Sequence, residues 1–334
     1  QRSNARRHAP ATEFASTAVI RLILQRLGAA CVTLIIICIM VFAAVEVMPG
    51  DACTAFLGRD AKGTILEKCQ LERGLDRPAL ERFGEWAGGM LQGDLGMSMN
   101  RNKPIEDIVG WRLRNTVILA ATATLFGVPI ALLLGVIAGL RRDRPVDLIL
   151  SSIAIFSMTI PEFVSATFLI LVFSIMLGWT SGVVTVSYNA PALDLVANTS
   201  LPTAALALIL VAHILRMVRS SVIDVMESDF VLMARLKGVP FRRIVWRHVL
   251  PNSLLPTINV IGLTIAWLLG GMVVIETVFN YPGLGRLAVD AVSDRDLPLI
   301  QTIAIILGSV YILTNLAADL VSLLLNPKLR TYRT

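Results

Sequence analysis

The chain has 334 residues, of which 55% are hydrophobic and only 16% charged, against about 25% charged in an ordinary soluble domain. Its mean hydropathy of +0.71 is carried by long apolar blocks, which excludes a soluble enzyme and points to an integral membrane protein. Thirty Lys plus Arg against 24 Asp plus Glu leave a net charge of +6, and that excess follows one set of loops rather than forming a nucleic-acid face.

In chain order, residues 1 to 17 are polar and basic with Pro10 and read as a tail, and Ala18 to Leu27 reads as a short interfacial helix. Together they make a segment 1–27 before the first apolar run, Gly28 to Met48. That run is long enough to cross roughly 30 Å of hydrocarbon as a helix. It ends in Pro49-Gly50-Asp51 without a small-residue cleavage site, so it is expected to remain as an anchor. Cys31 and Cys38 within it read as buried small apolar residues.

Segment 49–115 carries ten basic and ten acidic residues and is too polar to span a membrane. Helical spacing of apolar residues predicts helices over Leu66 to Arg73 and Ala79 to Leu91, parted by Gly74-Leu75-Asp76-Arg77-Pro78. Turn residues then surround one buried leucine in Gly93-Asp94-Leu95-Gly96-Met97-Ser98, and Pro104 to Arg114 forms an amphipathic stretch. The segment reads either as a lid over the outer mouth or as a docking surface for something soluble. Cys53 and Cys69 fall together here. An oxidising outer compartment would join them across a loop of about 17 residues, worth about 3 kcal/mol, the other reading being two separate thiols.

Five more apolar runs follow, Thr116 to Leu140, Leu148 to Leu177, Ser200 to Val218, Thr257 to Phe279 and Leu299 to Leu325, so 116–325 is expected to form a five-helix core behind the first span. Helices are the form these lengths allow, because each satisfies its own backbone and no ten-residue alternation of barrel type appears. Gly127 with Pro129, Gly135, Pro161, and Gly270 with Gly271 mark either bends or close helix packing. Glu46, Glu162 and Glu276 sit near outer ends or beside Pro161, and His213 and Asp319 are expected to find partners within the bundle or with Arg216.

With the N-terminus inside, the inner pieces hold five, three, six and three basic residues in turn, and the two short outer loops none and two. That asymmetry predicts both termini, including the tail 326–334, in the cytoplasm. The long outer segment exceeds the length over which loop charge governs orientation.

The inner loop 219–256 is too long for a turn and too short for a domain. Ser221 to Lys237 places Ile223, Met226, Phe230, Met233 and Ala234 on one helical face, with acids early and Arg235 and Lys237 late, suiting the helix dipole. Gly238 reads as a left-handed C-cap, Pro240 stops the helix, and Phe241 to Leu250 restarts with Phe241, Ile244, Val245 and His248 on one face. The result is a stiff elbow that can either transmit force or snorkel its basic half to anionic lipid.

The stretch Asp229-Phe230-Val231-Leu232-Met233-Ala234-Arg235-Leu236-Lys237-Gly238, followed by Arg247-His248-Val249-Leu250-Pro251-Asn252-Ser253-Leu254-Leu255-Pro256, resembles the ATPase-coupling loop of ABC-importer permeases. More narrowly it is similar to the dipeptide/oligopeptide/nickel permease family. Met48-Pro49-Gly50-Asp51, Gly74-Leu75-Asp76, Gly93 to Ser98, Arg219-Ser220-Ser221 and Glu276-Thr277-Val278-Phe279-Asn280-Tyr281-Pro282-Gly283-Leu284-Gly285 support it in the same order. Met233 and Leu236 depart from the small or polar residues expected beside Ala234.

The resemblance implies an all-α polytopic protein of six transmembrane helices with both ends inside, the type I importer permease fold with a long first periplasmic loop, in a bacterial cytoplasmic membrane. It implies ATPase coupling through Asp229, Phe230, Met233, Ala234, Arg235, Lys237 and Gly238, with Phe230, Met233 and Ala234 as the packed contact. Asp94, Gly96, Tyr281, Pro282 and Gly283 become periplasmic docking or gate candidates. The implied partners are a second homologous permease subunit, two ATP-binding subunits or domains that hold ATP and Mg, a periplasmic or lipid-anchored solute-binding protein, and membrane lipid; the solute class is dipeptides, oligopeptides or related compounds. No nucleic acid is expected. Neither is a catalytic or metal site in this chain, since three histidines without a Cys/His cluster are too few ligands. The competing reading, an ion- or proton-coupled secondary transporter, is disfavoured by sparse titratable groups in the spans and by the lack of an inverted repeat.

Overall fold

A computed structural model describes residues 11–47, 52–58, 61–72 and 74–325. The Met48-Pro49-Gly50-Asp51 motif, residues 1–10 and the tail 326–334 lie outside the described residues. Among those described, regular structure is helical apart from one isolated antiparallel bridge between Met97 and Pro104.

Residues 11–17 of the expected tail and the interfacial helix expected before the first span are part of one 37-residue helix, α1 (Ala11–Val47). The outer segment holds α2 (Ala52–Leu57), α3 (Gly63–Glu72) and α4 (Ala79–Gln92). Helix α5 (Ile105–Leu140) fuses the amphipathic stretch to the second span, because Pro104 precedes its first turn and no breaker separates the two parts. Then come α6 (Pro145–Thr159), α7 (Glu162–Leu169) with a π-helical continuation Ile170–Met176, and short α8 (Ala192–Ala197). Helix α9 (Ser200–Met226) runs two turns beyond the expected end at Val218. The elbow is α10 (Asp229–Leu236) and α11 (Phe241–Ile244), which passes through a π-turn into α12 (Leu250–Val278). Helices α13 (Leu284–Ser293) and α14 (Leu297–Leu325) are the last of the described residues.

Among the described residues, four unbroken helices are long and apolar enough to cross a membrane, and up to six crossings result if each bent pair is one span. The expected third span is not straight: α6 and the α7 segment meet at 110°. Pro161 supplies no backbone N–H, and it holds Ile160 extended (φ −79, ψ 129), so the helix stops there. A gentler 40° bend separates Phe241–Leu254 from Pro256–Leu268.

The core is built on α5 and α9, which pack along their lengths. Gly127, Ala131, Gly135 and Gly139 recur every four or eight residues on the buried face of α5. A Cβ at Gly135 would stand 2.6 Å from Val218 Cβ and 2.9 Å from Leu215 O, and one at Gly139 would stand 2.7 Å from Val222 Cβ. These glycines therefore serve close approach of two apolar helices, which in lipid associate through packing. Helix α12 lies against α9 and α14, while α1 sits at the edge against α14. Cys31 is accordingly exposed and Cys38 half-buried rather than both being core residues. Asp319 pairs with Arg26 of α1 at 2.8 Å, not with Arg216.

In the outer segment the Cys53 and Cys69 sulfurs stand at bonding distance, 2.01 Å. Phe83 and Trp86 of α4 pack on Phe42 of α1, and Arg82 reaches Glu46 at 2.5 Å. The Gly93–Ser98 turn is closed locally by Gly96 N–H donating to Asp94 Oδ1 (2.9 Å). It is anchored at long range by Ser98 Oγ donating to Asp296 Oδ2 (2.5 Å), immediately ahead of α14. This segment is thus tied to α1 and to the last crossing.

Candidate functional site

The elbow is held from beneath. Ser228 is extended (φ −72, ψ 150) and interrupts the expected Ser221–Lys237 helix, so the register of α9 does not carry into α10. Within α10, Val231 (0% exposed) and Ala234 (8%) turn inward, onto a core shared with Val222, Ile244 and Val249. Phe230 (46%), Met233 (58%) and Leu236 (73%) face outward. Ala234 is therefore corrected: it seats α10 on the protein instead of offering a contact to a partner. Asp229, Arg235 and Lys237 are exposed around the apolar stripe.

The turn after α10 is a Schellman motif. Gly238 N–H donates to Arg235 O (2.9 Å), Val239 N–H donates to Ala234 O (3.1 Å), and Gly238 has φ +74. Contacts among α6, α9 and α12 fix the helix end that leads into the elbow. Arg219 of α9 makes a bidentate pair with the fully buried Asp147 carboxylate of α6 at 2.5 and 2.8 Å, and Asp147 also accepts from Asp143 N–H (2.9 Å) and Ser151 Oγ (3.2 Å). Arg142 pairs with Glu227 at the end of α9, and Ser221 Oγ donates to Ser253 O (2.7 Å) in α12. A buried bidentate pair with its other lone pairs satisfied fixes orientation more than it adds stability. The sequence reading missed Asp147; its only local signal was an acid in the first turn after Pro145.

At the opposite end of α12 from the elbow, Glu276 to Gly285 folds into a buried polar knot. Thr116 Oγ donates to Glu276 Oε1 (2.6 Å) and accepts from Leu284 N–H (2.7 Å), while Arg286 N–H donates to Glu276 Oε2 (3.0 Å). The Glu276 carboxylate therefore caps the N-terminus of α13, where free N–H groups and the helix dipole favour an anion. A Cβ on Gly283 would run into this carboxylate, and one on Gly285 would come within 2.7 Å of Val273 Cα. Asn115 Nδ2 donates to Tyr188 O (2.8 Å) and Pro282 O (2.9 Å), and Tyr281 Oη donates to Asn115 O (2.6 Å). Burial, with Glu276 beside it, pushes the Tyr281 phenol above its ordinary value, which keeps it a donor. Val184 N–H donates to Phe279 O (2.8 Å), so loop 177–191 is stitched to the same knot.

Tyr281, Pro282 and Gly283, expected as docking or gate candidates, are buried and join α5, α12 and α13 from inside, which corrects the docking half of that expectation. Asp94 and Gly96 are exposed. Nothing in the sequence marked Asn115 or Thr116, whose partners in the knot lie 73 to 168 residues away.

Residues 131–331 match the family described as binding-protein-dependent transport system inner membrane component, and residues 19–120 match the N-terminal region of such membrane components. The chain belongs to this family. It is a permease subunit of an ABC importer and a multi-pass inner membrane protein. This permease is 34% identical over 308 residues to the glutathione transport system permease protein GsiC of Shigella flexneri serotype 5b (strain 8401), a match spanning 92% of this chain and 98% of that protein. It is 32% identical over 309 residues to a putative peptide transport system permease protein of Brucella abortus (strain 2308), with the same coverage. Among solved structures, the MetNI methionine ABC transporter matches at TM-score 0.47 and 17% identity, over 66% of this chain and 96% of that one.

Proposed function

We propose that this permease forms half of the pathway of an ATP-driven importer for peptide-type solutes and is driven through the outward face of α10. Its partners are a second permease subunit, two ATP-hydrolysing subunits or domains inside, and a solute-binding protein outside. Six crossings with both termini in the cytoplasm follow when each bent pair counts as one span, and the basic residues of 141–144 and 219–256 then fall inside. Residues 49–115 lie outside, which suits the Cys53–Cys69 bond.

The observation that carries this reading is the apolar stripe Phe230, Met233 and Leu236, exposed on a short helix whose opposite side is locked into the bundle. Exposed apolar side chains on a rigid, capped knuckle suit insertion into a cleft of another protein, with Gly238 allowing the chain to turn back. ATP-driven closure of the partner would then shift the balance between two arrangements of the bundle, while the loaded binding protein biases it from outside. Peptide-type solute is supported by the two relatives, one named for glutathione and the other for peptide transport.

Reconstitution in liposomes tests it. Uptake of a short peptide should require ATP, the nucleotide-hydrolysing partner and the binding protein together. Uptake by this chain alone, driven by a proton gradient, would favour the secondary-transporter reading.

A further inference from the structure

The break in the third crossing leaves one carboxylate without a partner. Glu162 opens α7 directly after Pro161, and it forms no ion pair or hydrogen bond among the described residues. It is only half-buried and points at the backbone of α12, where a Cβ on Gly271 would stand 2.5 and 2.6 Å from its two oxygens. The absence of a side chain at Gly271 therefore opens the notch that the carboxylate occupies.

The titratable neighbour is His213, the middle residue of α9. Its Nδ1 lies 3.0 Å from Ile209 O, which makes Nδ1 the donor, and its ring centroid is 5.3 Å from that of Trp267. Trp267 itself is half exposed. Three elements thus bring a carboxylate, an imidazole and an indole together about 20 Å from either end of α9, the middle depth of a helix long and apolar enough to cross a membrane. An ionisable group at that depth is costly against hydrocarbon and belongs on a face that meets water or protein. In secondary transporters interrupted helices hold solute, and the break between α6 and α7 lies directly beside Glu162. A metal does not fit, since no group of three His, Cys, Asp or Glu able to hold one exists among the described residues.

We propose that Glu162, seated in the Gly271 notch beside His213 and Trp267, is a pathway subsite for the ammonium group of the solute. An unpaired carboxylate next to an indole is suited to a small organic cation, and the ammonium of a free peptide amino terminus has that chemistry. The assignment of the ammonium rests on the peptide reading above; the placing of Glu162 on a water-filled path does not.

The experiment uses the assembled transporter in liposomes, with trialanine as solute. Glu162→Gln should lower trialanine uptake at least tenfold while the subunits still co-purify, and Glu162→Asp should recover most of it. In a Cys31→Ser, Cys38→Ser background, Glu162→Cys should react with a water-soluble cationic thiol reagent, and trialanine should slow that reaction. Normal uptake by Glu162→Gln, or a cysteine that never reacts, would overturn the subsite. Loss of subunit association in Glu162→Gln would assign the carboxylate to a cation of the second permease subunit instead. If the unaltered complex carries no trialanine, the peptide reading fails and the ammonium falls with it, whereas thiol labelling still decides whether Glu162 faces water.

Discussion

Gly238→Val is expected to reduce ATP-driven uptake at least about tenfold while the complex continues to hydrolyse ATP and the subunit remains inserted. Gly238 has φ +74, and no atom lies within 4 Å of where its Cβ would be. Substitution therefore meets no clash, and its cost is backbone strain alone. For an L-residue that strain is roughly 1–2 kcal/mol, and a β-branched side chain sits at the unfavourable end. Since about 1.4 kcal/mol is a factor of ten in an equilibrium, the turn will leave its left-handed geometry for much of the time. The two Schellman bonds go with it, and the stripe on α10 loses its fixed direction. A graded series makes this specific. Gly238→Asn, which tolerates the left-handed region, should keep most uptake, Gly238→Ala should fall between, and Gly238→Val should be lowest. Measuring uptake per ATP hydrolysed in the three variants checks it; equal coupling in all three would contradict the role given to the turn.

Gly283→Ala is expected to act on the fold rather than on coupling. Gly283 is extended (φ −103, ψ −176), a conformation open to any residue, so the backbone has no objection to alanine. The objection is steric: the new Cβ meets the Glu276 carboxylate, which is fully buried and held by Thr116 and Arg286. Overpacking of this kind costs about 1–3 kcal/mol, and displacing the carboxylate from its donors adds to it. Thermal denaturation of the purified subunit in detergent should show a midpoint several degrees lower. Gly283→Ala combined with Glu276→Ala should lose less than the two single losses added, because the clash disappears with the carboxylate. Strict additivity would show that the clash is not the cause.

Length and hydropathy made the apolar helices legible, because a membrane span is a local property of about 20 residues. The Gly238 cap was legible for the same reason: a glycine two residues before Pro240 is a local signal. What the sequence hid was non-local. Asp147 and Arg219 are 72 residues apart and Thr116 and Glu276 are 160 apart, and no spacing rule links them. Ala234 lies one turn after Phe230 and three residues after Val231, so spacing alone allowed either face, and only the packing of α10 shows it turned inward. Tyr281, Pro282 and Gly283 occur in a polar, turn-like string that suggests a surface, but their polar groups are satisfied inside. The Pro161 break was legible as a bend or a packing point, and only the helix directions show it to be a 110° turn.

The elbow and the knot have different consequences. The elbow presents apolar groups outward and is braced by ion pairs at the inner ends of α6 and α9, whereas the knot consumes its polar groups internally and ties α12 to α5 and α13. The first is suited to receive force and the second to keep the outer ends of those helices together while force is applied.

The central claim is that the outward face of α10 is where the ATPase takes hold. Single cysteines at Met233 and Ala234, in a chain with Cys31 and Cys38 replaced, test it in the working complex. Met233→Cys should form a crosslink to a nucleotide-hydrolysing subunit whose yield changes when ATP is bound, and Ala234→Cys, turned inward, should form little. A Met233→Cys protein that transports normally yet is never captured by an ATP-hydrolysing neighbour would contradict the account.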